Sequence, residues 1–404
     1  MTRRVLFLTQ SHNVWGGMEQ WLHNFTQWLQ ENTEWDVRVG VAWGARFNDP
    51  DAYAAVHAHM RVHRLDARAG TESARRRAIV DAIEAIAPDL VVPIGLGAVF
   101  PAVAEAKRRG SSVRLVVPVR ARVERYFANI VQFFPIVDGV VCVNRVFHRY
   151  FADRLPERVY YVRHGARPPV AAHEETSGPL RVGYVGRLEP AVKRVLDLVP
   201  FAEELARRES PVEIHIFGDG PSAQELRAKL PNAIFHGYRS QDELYREGWP
   251  NLDVVMLFSA TEGTPNAVCE AMQHGVVPVI SRYEGQAEEA FVMHERNGFT
   301  FEIGDVAKAA EYVDRLAHNR ELLRRFSSAA LNAADTAERM HRDWVTIFEK
   351  TLALTQKRGP VPVDLPRGGR LDSLLPARLA DRIRVMTGRT FPHEDGWSEW
   401  PGSQ

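Results

Sequence analysis

Cysteine is scarce in this chain. Of 404 residues only two are cysteines, Cys142 and Cys269, and each lies inside an apolar run. Two isolated cysteines can build neither a disulfide framework nor a cysteine zinc site. This usage favours a protein of a reducing compartment.

Long apolar stretches are also missing. The longest, LVVPIGLGAVFPAVA, is broken by prolines and glycines and is shorter than the roughly 18 residues that a membrane-spanning helix needs. The start, MTRRVLFLTQSHN, places two arginines before a short apolar run, which predicts a first β-strand rather than a signal peptide. We therefore expect a cytoplasmic protein, at most peripheral at the inner face of the cell membrane.

The chain has no overall excess of charge. Its formal net charge is zero and 45% of its residues are hydrophobic, which argues against a disordered polyelectrolyte and against a general nucleic-acid binder. The charge is uneven, because residues 105–167 contain 13 Lys and Arg against 5 Asp and Glu. This segment favours an anionic partner or surface.

The length predicts two domains. Short β-branched runs alternate with helical patterns, beginning with RVLFLTQ before MEQWLHNFTQWLQEN, and this alternation indicates a parallel sheet covered by helices. It stops at residues 166–179, which we interpret as a linker, and restarts with LRVGYVGRL. The predicted fold class is α/β, with two Rossmann-like doubly wound domains facing a central cleft and a C-terminal tail.

The predicted domain boundaries are 1–170 for an N-terminal domain, 177–350 for a C-terminal domain completed by helices over 306–355, and 351–404 for a crossover and tail extension. The tail contains a basic amphipathic stretch, LDSLLPARLADRIRVMTG. Three placements of this tail stay open: against the other domain, on a membrane, or loose.

Ligands of open parallel sheets bind beyond the carboxyl ends of the strands, so the loops that follow strands hold the candidate residues. Gly16 and Gly17 precede the first helix, where a phosphate or sugar could approach the backbone, although a tight turn alone would also need glycine. Gly218 and Gly220 in IFGDGP form another close-approach turn. This turn lacks the third glycine of a dinucleotide fingerprint.

Two cations follow the first strand of the second domain. Arg187 and Lys193 are six residues apart in VGRLEPAVKRVLDL, across a strand-to-helix connection. We expect both to converge on one position of the cleft, where they would neutralise a diphosphate as it leaves. The alternative is an exposed pair on a loop.

The stretch ATEGTPNAVCEAMQHGVVPVIS, residues 260–281, is the most informative. Thr264 is the predicted N-cap of a helix, Pro265 suits its first position and Gly275 ends it. This places Glu262 in the loop and Glu270 on the helix. Each glutamate alone could also be a solvated acid near a helix start.

These residues predict one elongated ligand. The free amides of Asn266 and Ala267 would form an anion site at the helix start, and a carboxylate accepts two hydrogen bonds from vicinal hydroxyls of a ribose or a hexose. With ribose at Glu270, diphosphate at the helix start and sugar at Glu262, the predicted ligand is a nucleotide sugar.

Four motifs in this order resemble glycosyltransferase family 4: GGME near the N-terminus, then GRLEPAVKR, FGDGP and EGTPNAVCEAMQHGVVPV. The resemblance covers residues 1 to about 350. It implies the two-domain GT-B fold and a retaining enzyme that needs no metal or other cofactor. It also implies an N-terminal domain that binds the acceptor and a C-terminal domain that binds the donor.

The resemblance also implies roles for individual residues. The catalytic group would comprise Arg187, Lys193 and Glu262, with the two cations on the donor diphosphate and Glu262 on the donor sugar. Glu270 would hold the ribose, and the remaining donor contacts would come from Gly16, Gly17, Gly218, Tyr238, Gly263, Thr264, Pro265, Asn266 and Ala267. Tyr238, after FHG, falls where backbone groups of such enzymes contact the base.

One departure from the family pattern concerns the strand VRLVVPVRAR. Many members carry a histidine after it, near the reacting carbon of the sugar, whereas this chain has Arg120 and Arg122. An arginine that contacts a phosphate or an acidic group is our preferred interpretation. The alternative is that His12 approaches the sugar.

A basic and aromatic segment, residues 107–134, is the candidate contact with an anionic membrane surface. In related enzymes that act on lipid-linked acceptors a surface of this kind meets the inner membrane. The alternative is an ordinary strand and helix whose aromatic residues belong to the core.

The sequence thus predicts a glycosyltransferase (a hexosyltransferase) that moves a hexose from a nucleotide diphosphate sugar to a glycan or glycolipid acceptor, in cell-surface polysaccharide or lipopolysaccharide synthesis. A nucleotide-sugar epimerase of the same fold and a non-catalytic nucleotide-binding protein are the alternatives. The expected partners are the donor, a glycan or lipid-linked acceptor and the membrane surface, and no nucleic acid.

Overall fold

The structure is a computed structural model that describes residues 2–9, 17–44, 49–171, 173, 177–361, 371 and 374–390. It divides into two compact units. Unit 1 comprises Met1–Val143, Phe147–Tyr161 and His341–Gln404, and unit 2 comprises Asn144–Val146 and Val162–Met340.

Unit 1 contains a parallel sheet of seven strands in the order β3-β2-β1-β4-β5-β6-β7. Its strands are β1 (Arg4–Thr9), β2 (Asp36–Trp43), β3 (Val62–Asp66), β4 (Leu90–Pro93), β5 (Arg114–Val119), β6 (Gly139–Cys142) and β7 (Val159–Tyr161).

Unit 2 contains a parallel sheet of six strands in the order β10-β9-β8-β11-β12-β13. Its strands are β8 (Leu180–Val185), β9 (Val212–Phe217), β10 (Ile234–Gly237), β11 (Val254–Leu257), β12 (Val277–Ser281) and β13 (Phe299–Phe301). Within each unit the order is that of a doubly wound Rossmann-like sheet, in which the strand order reverses between the first and fourth strands.

Helices connect the strands in both units. In chain order they are α1 (Gly17–Asn32), α2 (Pro50–Val56), α3 (Glu72–Ile86), α4 (Val99–Arg108), α5 (Glu124–Gln132), α6 (Arg145–Ala152), α7 (Leu198–Arg207), α8 (Ala223–Lys229), α9 (Gln241–Glu243), α10 (Asn266–Gln273), α11 (Gln286–Glu289), α12 (Val306–His318), α13 (Arg320–Ala333), α14 (Ala337–Ala353) and α15 (Ala377–Thr387).

The central strands explain the apolar runs of the sequence. Every residue of β4, β6, β11 and β12 is buried, as expected for parallel strands with helices on both faces. In unit 2, residues such as Val254, Val279 and Phe299 pack with Phe201 of α7 and Val313 of α12. The predicted alternation of strand and helix therefore produces two sandwiched sheets, and the prediction of two Rossmann-like doubly wound domains is confirmed.

Some elements differ from the sequence prediction. Strand β3 lies in the loosely patterned region after β2 and is largely outside the core, which is why its hydrophobic signal is weak. The helix expected near 284–292 is only Gln286–Glu289, because Ala290 adopts a left-handed backbone with φ 49°. The helices expected over 306–355 are α12, α13 and α14.

The beginning of the tail packs on unit 1. The Lys357 amide donates to Asp138 Oδ1 at 2.8 Å and the Lys107 ammonium donates to the Lys357 carbonyl at 2.9 Å. Farther along, Asp381 of α15 pairs with Arg77 of α3. The described parts of the tail thus follow the first of the three placements left open by the sequence.

Among the described residues, no helix is both long and apolar enough to cross a membrane.

Candidate functional site

The loop between β8 and α7 is organised by Glu189. Its carboxylate accepts hydrogen bonds from the amides of Ala191 (2.7 Å), Val192 (2.8 Å) and Lys193 (3.3 Å). Burial raises the pKa of Glu189, but the backbone amides and the nearby Arg187 outweigh it, so the net shift is downward. The ionised carboxylate therefore fixes the backbone that carries Lys193.

Lys193 meets Glu262 in the loop after β11. The Lys193 Nζ lies 2.7 Å from Glu262 Oε1, and Ser259 Oγ donates to the same oxygen at 2.6 Å. The two loops are also joined through their backbones, because the Ala260 amide donates to the Val192 carbonyl at 2.9 Å. They meet because β8 and β11 are neighbours on either side of the reversal in strand order.

Arg187 begins the same loop. It is half-buried, and its carbonyl accepts a hydrogen bond from the Tyr184 hydroxyl at 2.9 Å. The roles of Arg187 and Lys193 on a diphosphate stay predictions. The geometry adds that the Lys193 ammonium already has a carboxylate partner.

Helix α10 begins one residue later than predicted. Thr264 was expected to be its N-cap and Pro265 its first residue, but the N-cap is Pro265, with φ −77° and ψ 90°. The Pro265 carbonyl accepts from the amides of Val268 (3.0 Å) and Cys269 (3.2 Å), which are therefore used within the helix. The predicted end is confirmed, because Gly275 follows the last turn with φ 72°.

Glu270 is buried on α10, and Gln241 Nε2 donates to its Oε1 at 2.6 Å. Burial raises the pKa of Glu270 to about 7, in spite of the opposing effects of Gln241 and the Arg167 guanidinium. A ligand that donates hydrogen bonds to the Glu270 carboxylate would stabilise its ionised form, which burial disfavours. Vicinal hydroxyls are such donors.

Gly218 and Gly220 serve close backbone packing. Gly218 has φ 146°, and a Cβ on it would overlap the Gly186 carbonyl oxygen; Gly220 has φ 156° and meets the Leu188 backbone in the same way. The loop after β9 therefore lies directly against the loop after β8. A ligand contact at Gly218 stays a prediction, but the need for glycine is explained without one.

Tyr238 follows β10 and is 54% exposed. Its contact with a base stays a prediction. The next segment carries Gln241, whose side chain donates to Glu270. The connection after β10 therefore contacts Glu270 through this hydrogen bond.

In unit 1, the predicted residues His12 and Gly16 lie outside the described residues. Gly17 is the first residue of α1. Two residues later, Glu19 is buried and accepts from the Thr9 hydroxyl at 2.8 Å and from the Tyr53 hydroxyl at 3.2 Å. The glutamate of the GGME motif thus anchors α1 to the end of β1 and to α2.

The two arginines after β5 have different surroundings. The Arg120 guanidinium lies over the Trp21 ring, 4.9 Å from its centre. Arg122 pairs with Glu124 at 3.0 Å on the surface. A role of either arginine toward a phosphate or an acidic acceptor stays a prediction.

The aromatic residues of segment 107–134 belong mainly to the core. Tyr126, Phe127 and Phe133 are buried, and Phe127 packs 4.9 Å from Phe151, centre to centre. Lys107 is also buried and pairs with Asp138. For Tyr126, Phe127 and Phe133 the structure therefore shows the alternative, in which the aromatic residues of this segment belong to the core.

Sequence inspection missed four residues of the site. Ser259, Gln241 and Glu189 are described above, and the Asn144 side chain donates to the Gly263 carbonyl at 3.0 Å. Only Ser259 had a usable signal, since it is a polar residue at the end of a buried strand. Across the described part of the chain, no group of three or more His, Cys, Asp or Glu side chains is placed to hold a metal ion.

Residues 179–319, which make up most of unit 2 and include every site residue from Arg187 to Glu270, match the sequence profile of the family described as "Glycosyl transferases group 1". The match spans less than half of the chain.

Two curated relatives are similar over part of their length. Poly(ribitol-phosphate) alpha-N-acetylglucosaminyltransferase of Staphylococcus aureus is 25% identical over 41% of this chain and 35% of its own length. Lipopolysaccharide 1,6-galactosyltransferase of Salmonella typhimurium is 34% identical over 24% of this chain and 28% of its own length. The matched region therefore spans well under half of either relative.

Solved structures are similar over most of the chain. The lipopolysaccharide outer core galactosyltransferase WaaB superposes with a TM-score of 0.68 and 17% identity, covering 86% of this chain and 99% of that one. Anabaena Alr3699/HepE in complex with UDP-glucose gives a TM-score of 0.63 and 19% identity, covering 86% and 98%. These likenesses confirm the GT-B fold.

Proposed function

We propose that this protein is a retaining glycosyltransferase of family 4 that moves a hexose from a nucleotide diphosphate sugar to a glycan or glycolipid acceptor of the cell surface. The observation that carries the proposal is the contact of Lys193 with Glu262 in the loops after β8 and β11, with Glu270 on α10, the helix that follows the Glu262 loop. These groups lie on connections that follow the strands, where ligands of Rossmann-like sheets bind.

Each part of the donor has a matching group. Glu270 would accept from the ribose hydroxyls, Lys193 and Arg187 would stabilise the diphosphate, and Glu262 would accept from sugar hydroxyls. The α10 amides of Asn266 and Ala267 would add donors for the phosphates.

In the proposed reaction, the bond between the sugar C1 and the phosphate oxygen breaks, and an acceptor hydroxyl bonds to C1 from the same face. The acceptor proton goes to the leaving phosphate oxygen. No protein nucleophile is assigned. The chain contributes orientation and stabilisation of the negative charge that develops on the diphosphate.

The relatives suggest which substrates to test first. The HepE structure contains UDP-glucose, and the two curated relatives are named for N-acetylglucosaminyl and galactosyl transfer to poly(ribitol phosphate) and to lipopolysaccharide. We therefore propose UDP sugars as donors and a cell-surface glycan or its lipid-linked precursor as acceptor.

A thermal-shift screen with UDP, GDP, ADP and TDP sugars tests donor binding. At 100 times the Kd, a ligand should stabilise the protein by roughly 2.7 kcal/mol. The variant Glu270→Ala should lose that shift, whereas Glu311→Ala, which removes an exposed carboxylate from α12 in the same unit, should keep it. An unchanged shift in Glu270→Ala would remove the ribose assignment.

Peripheral contact with the inner face of the cell membrane is part of the proposal. Burial of Tyr126, Phe127 and Phe133 removes these rings from the contact, and the exposed Arg122 and Arg125 offer positive charge to it. Binding should then be electrostatic, and flotation with anionic vesicles should be lost as the salt concentration rises. Flotation that persists in high salt, or none with anionic vesicles, would contradict this contact.

A further inference from the structure

The site contains its own counter-ion. Lys193 and Glu262 are 2.7 Å apart, and their side chains are 22% and 8% exposed. An ion pair this sheltered from water is screened less than a surface pair. The positive charge of Lys193 is therefore compensated by Glu262 within the protein itself.

The carboxylate is held where it can do this. Ser259 is fully buried, and its hydroxyl donates to the same Glu262 oxygen that Lys193 contacts. The Ser259 carbonyl in turn accepts from the Ser281 hydroxyl at 2.7 Å. Ser259 is thus anchored to the end of β12, and both hydrogen bonds described for Glu262 go to Oε1.

A ligand with a diphosphate must compete with Glu262 for Lys193. An intact nucleotide sugar brings hydroxyl groups that can donate to the carboxylate, so the charge of Glu262 is satisfied while Lys193 turns to the phosphate. A nucleoside diphosphate without its sugar brings no such donors. It must therefore draw Lys193 away from a carboxylate that is left without compensation, which is costly in a sheltered site.

We propose that the Lys193–Glu262 pair, positioned by Ser259, selects the intact nucleotide sugar over the nucleoside diphosphate product and so favours product release. The proposal rests on the proposed function. Glu262 then weakens binding of the nucleoside diphosphate by competing with it for Lys193, in addition to any contact that Glu262 makes with the sugar.

Titration calorimetry with UDP and with UDP-glucose measures this selectivity. In Glu262→Gln, UDP should bind about fivefold more tightly, because Lys193 loses its competitor, and UDP-glucose should bind more weakly, because a neutral amide replaces a charged acceptor. Lys193→Met should weaken both ligands. In the double variant with Lys193→Met and Glu262→Gln, UDP should bind no more tightly than in Lys193→Met alone.

Ser259→Ala tests the positioning role. It should shift the ratio of the two Kd values in the same direction as Glu262→Gln, but less, while the melting temperature of the unliganded protein reports any general loss of structure. Glu311→Gln removes one negative charge from an exposed pair on α12 and should change neither Kd.

Different outcomes would overturn the role of the Lys193–Glu262 pair and the proposed function. Unchanged or weaker UDP binding in Glu262→Gln overturns the inference, as does tightening that persists with Lys193→Met or that also occurs in Glu311→Gln. If the wild-type protein binds none of UDP, GDP, ADP and TDP or their sugars, the proposed function itself fails.

Discussion

Burial of Glu270 leads to the prediction that donor binding releases a proton near neutral pH. The unliganded carboxyl has a pKa of about 7, raised by burial. Ribose hydroxyls would donate hydrogen bonds to the ionised form and lower that pKa in the complex. Affinity should therefore be highest above pH 7 and fall as the pH drops below it, because the proton and the ligand compete.

The size of the effect follows from the pKa. If the bound form is fully ionised, the affinity should fall about 30-fold between pH 8 and pH 5.5, or about 2 kcal/mol. UDP-glucose is the suitable ligand, because its diphosphate is esterified at both ends. Free UDP has a terminal phosphate that titrates near pH 6 itself.

Titration calorimetry of UDP-glucose at pH 6.5 in two buffers of different ionisation enthalpy gives the number of protons released. A carboxyl with a pKa of about 7 is roughly three-quarters protonated at pH 6.5, so we expect about 0.75 proton for the wild-type protein. We expect close to none for Glu270→Gln, which keeps the shape and an acceptor but does not titrate. Affinity that is flat between pH 5.5 and pH 8, or equal proton release in Glu270→Gln, would refute the reasoning.

The same group affects stability in the opposite direction. The folded-state pKa of Glu270 is about 7, against an ordinary value of 4.5 for a glutamate carboxyl, so the unliganded protein is favoured at low pH. This contribution is complete below about pH 4.5 and is lost as the pH rises through 7. Glu270→Gln should therefore stabilise the unliganded protein at pH 8, by up to about 3 kcal/mol, and leave its stability at pH 4.5 unchanged in urea unfolding.

Three further changes test the packing within the two units. Gly218→Ala should cost more than about 3 kcal/mol in urea unfolding, because its Cβ would overlap a neighbouring carbonyl oxygen, whereas Gly237→Ala, which also has a positive φ but open space around its Cβ, should cost only about 1 kcal/mol. Equal losses would contradict the packing argument. Asp138→Ala should cost about 3–5 kcal/mol because it leaves Lys107 buried without its carboxylate, and a loss below about 1 kcal/mol would show that the pair contributes little.

Sequence periodicity was sufficient to predict most of the strands and helices, because the central strands are buried on both faces. Continuous apolar runs such as β11 and β12 are visible without any structure, and so are the positions of Glu262 in a loop and Glu270 on a helix. The start of α10 was misplaced by one residue because Thr264 and Pro265 both carry helix-start preferences. The local sequence could not decide between them.

The Lys193–Glu262 pair was not predicted because it depends on which strands are neighbours. The sequence places the two residues 69 positions apart, and they meet only because β8 adjoins β11. Ser259 and Gln241 contact the two glutamates through side-chain hydrogen bonds, for which no spacing rule exists. Tyr126 and Phe127 show a related limit, since an aromatic pattern does not tell which side of a helix faces the core.

Transfer of a sugar from a nucleotide diphosphate sugar can be followed by proton NMR of the protein with UDP, GDP, ADP and TDP sugars. We expect slow release of free sugar from one donor, first in the anomeric configuration of that donor, and loss of this release in Lys193→Met. Formation of an epimer without release would support an epimerase. Consumption of none of the donors would show that the protein is not a glycosyltransferase for these nucleotide sugars.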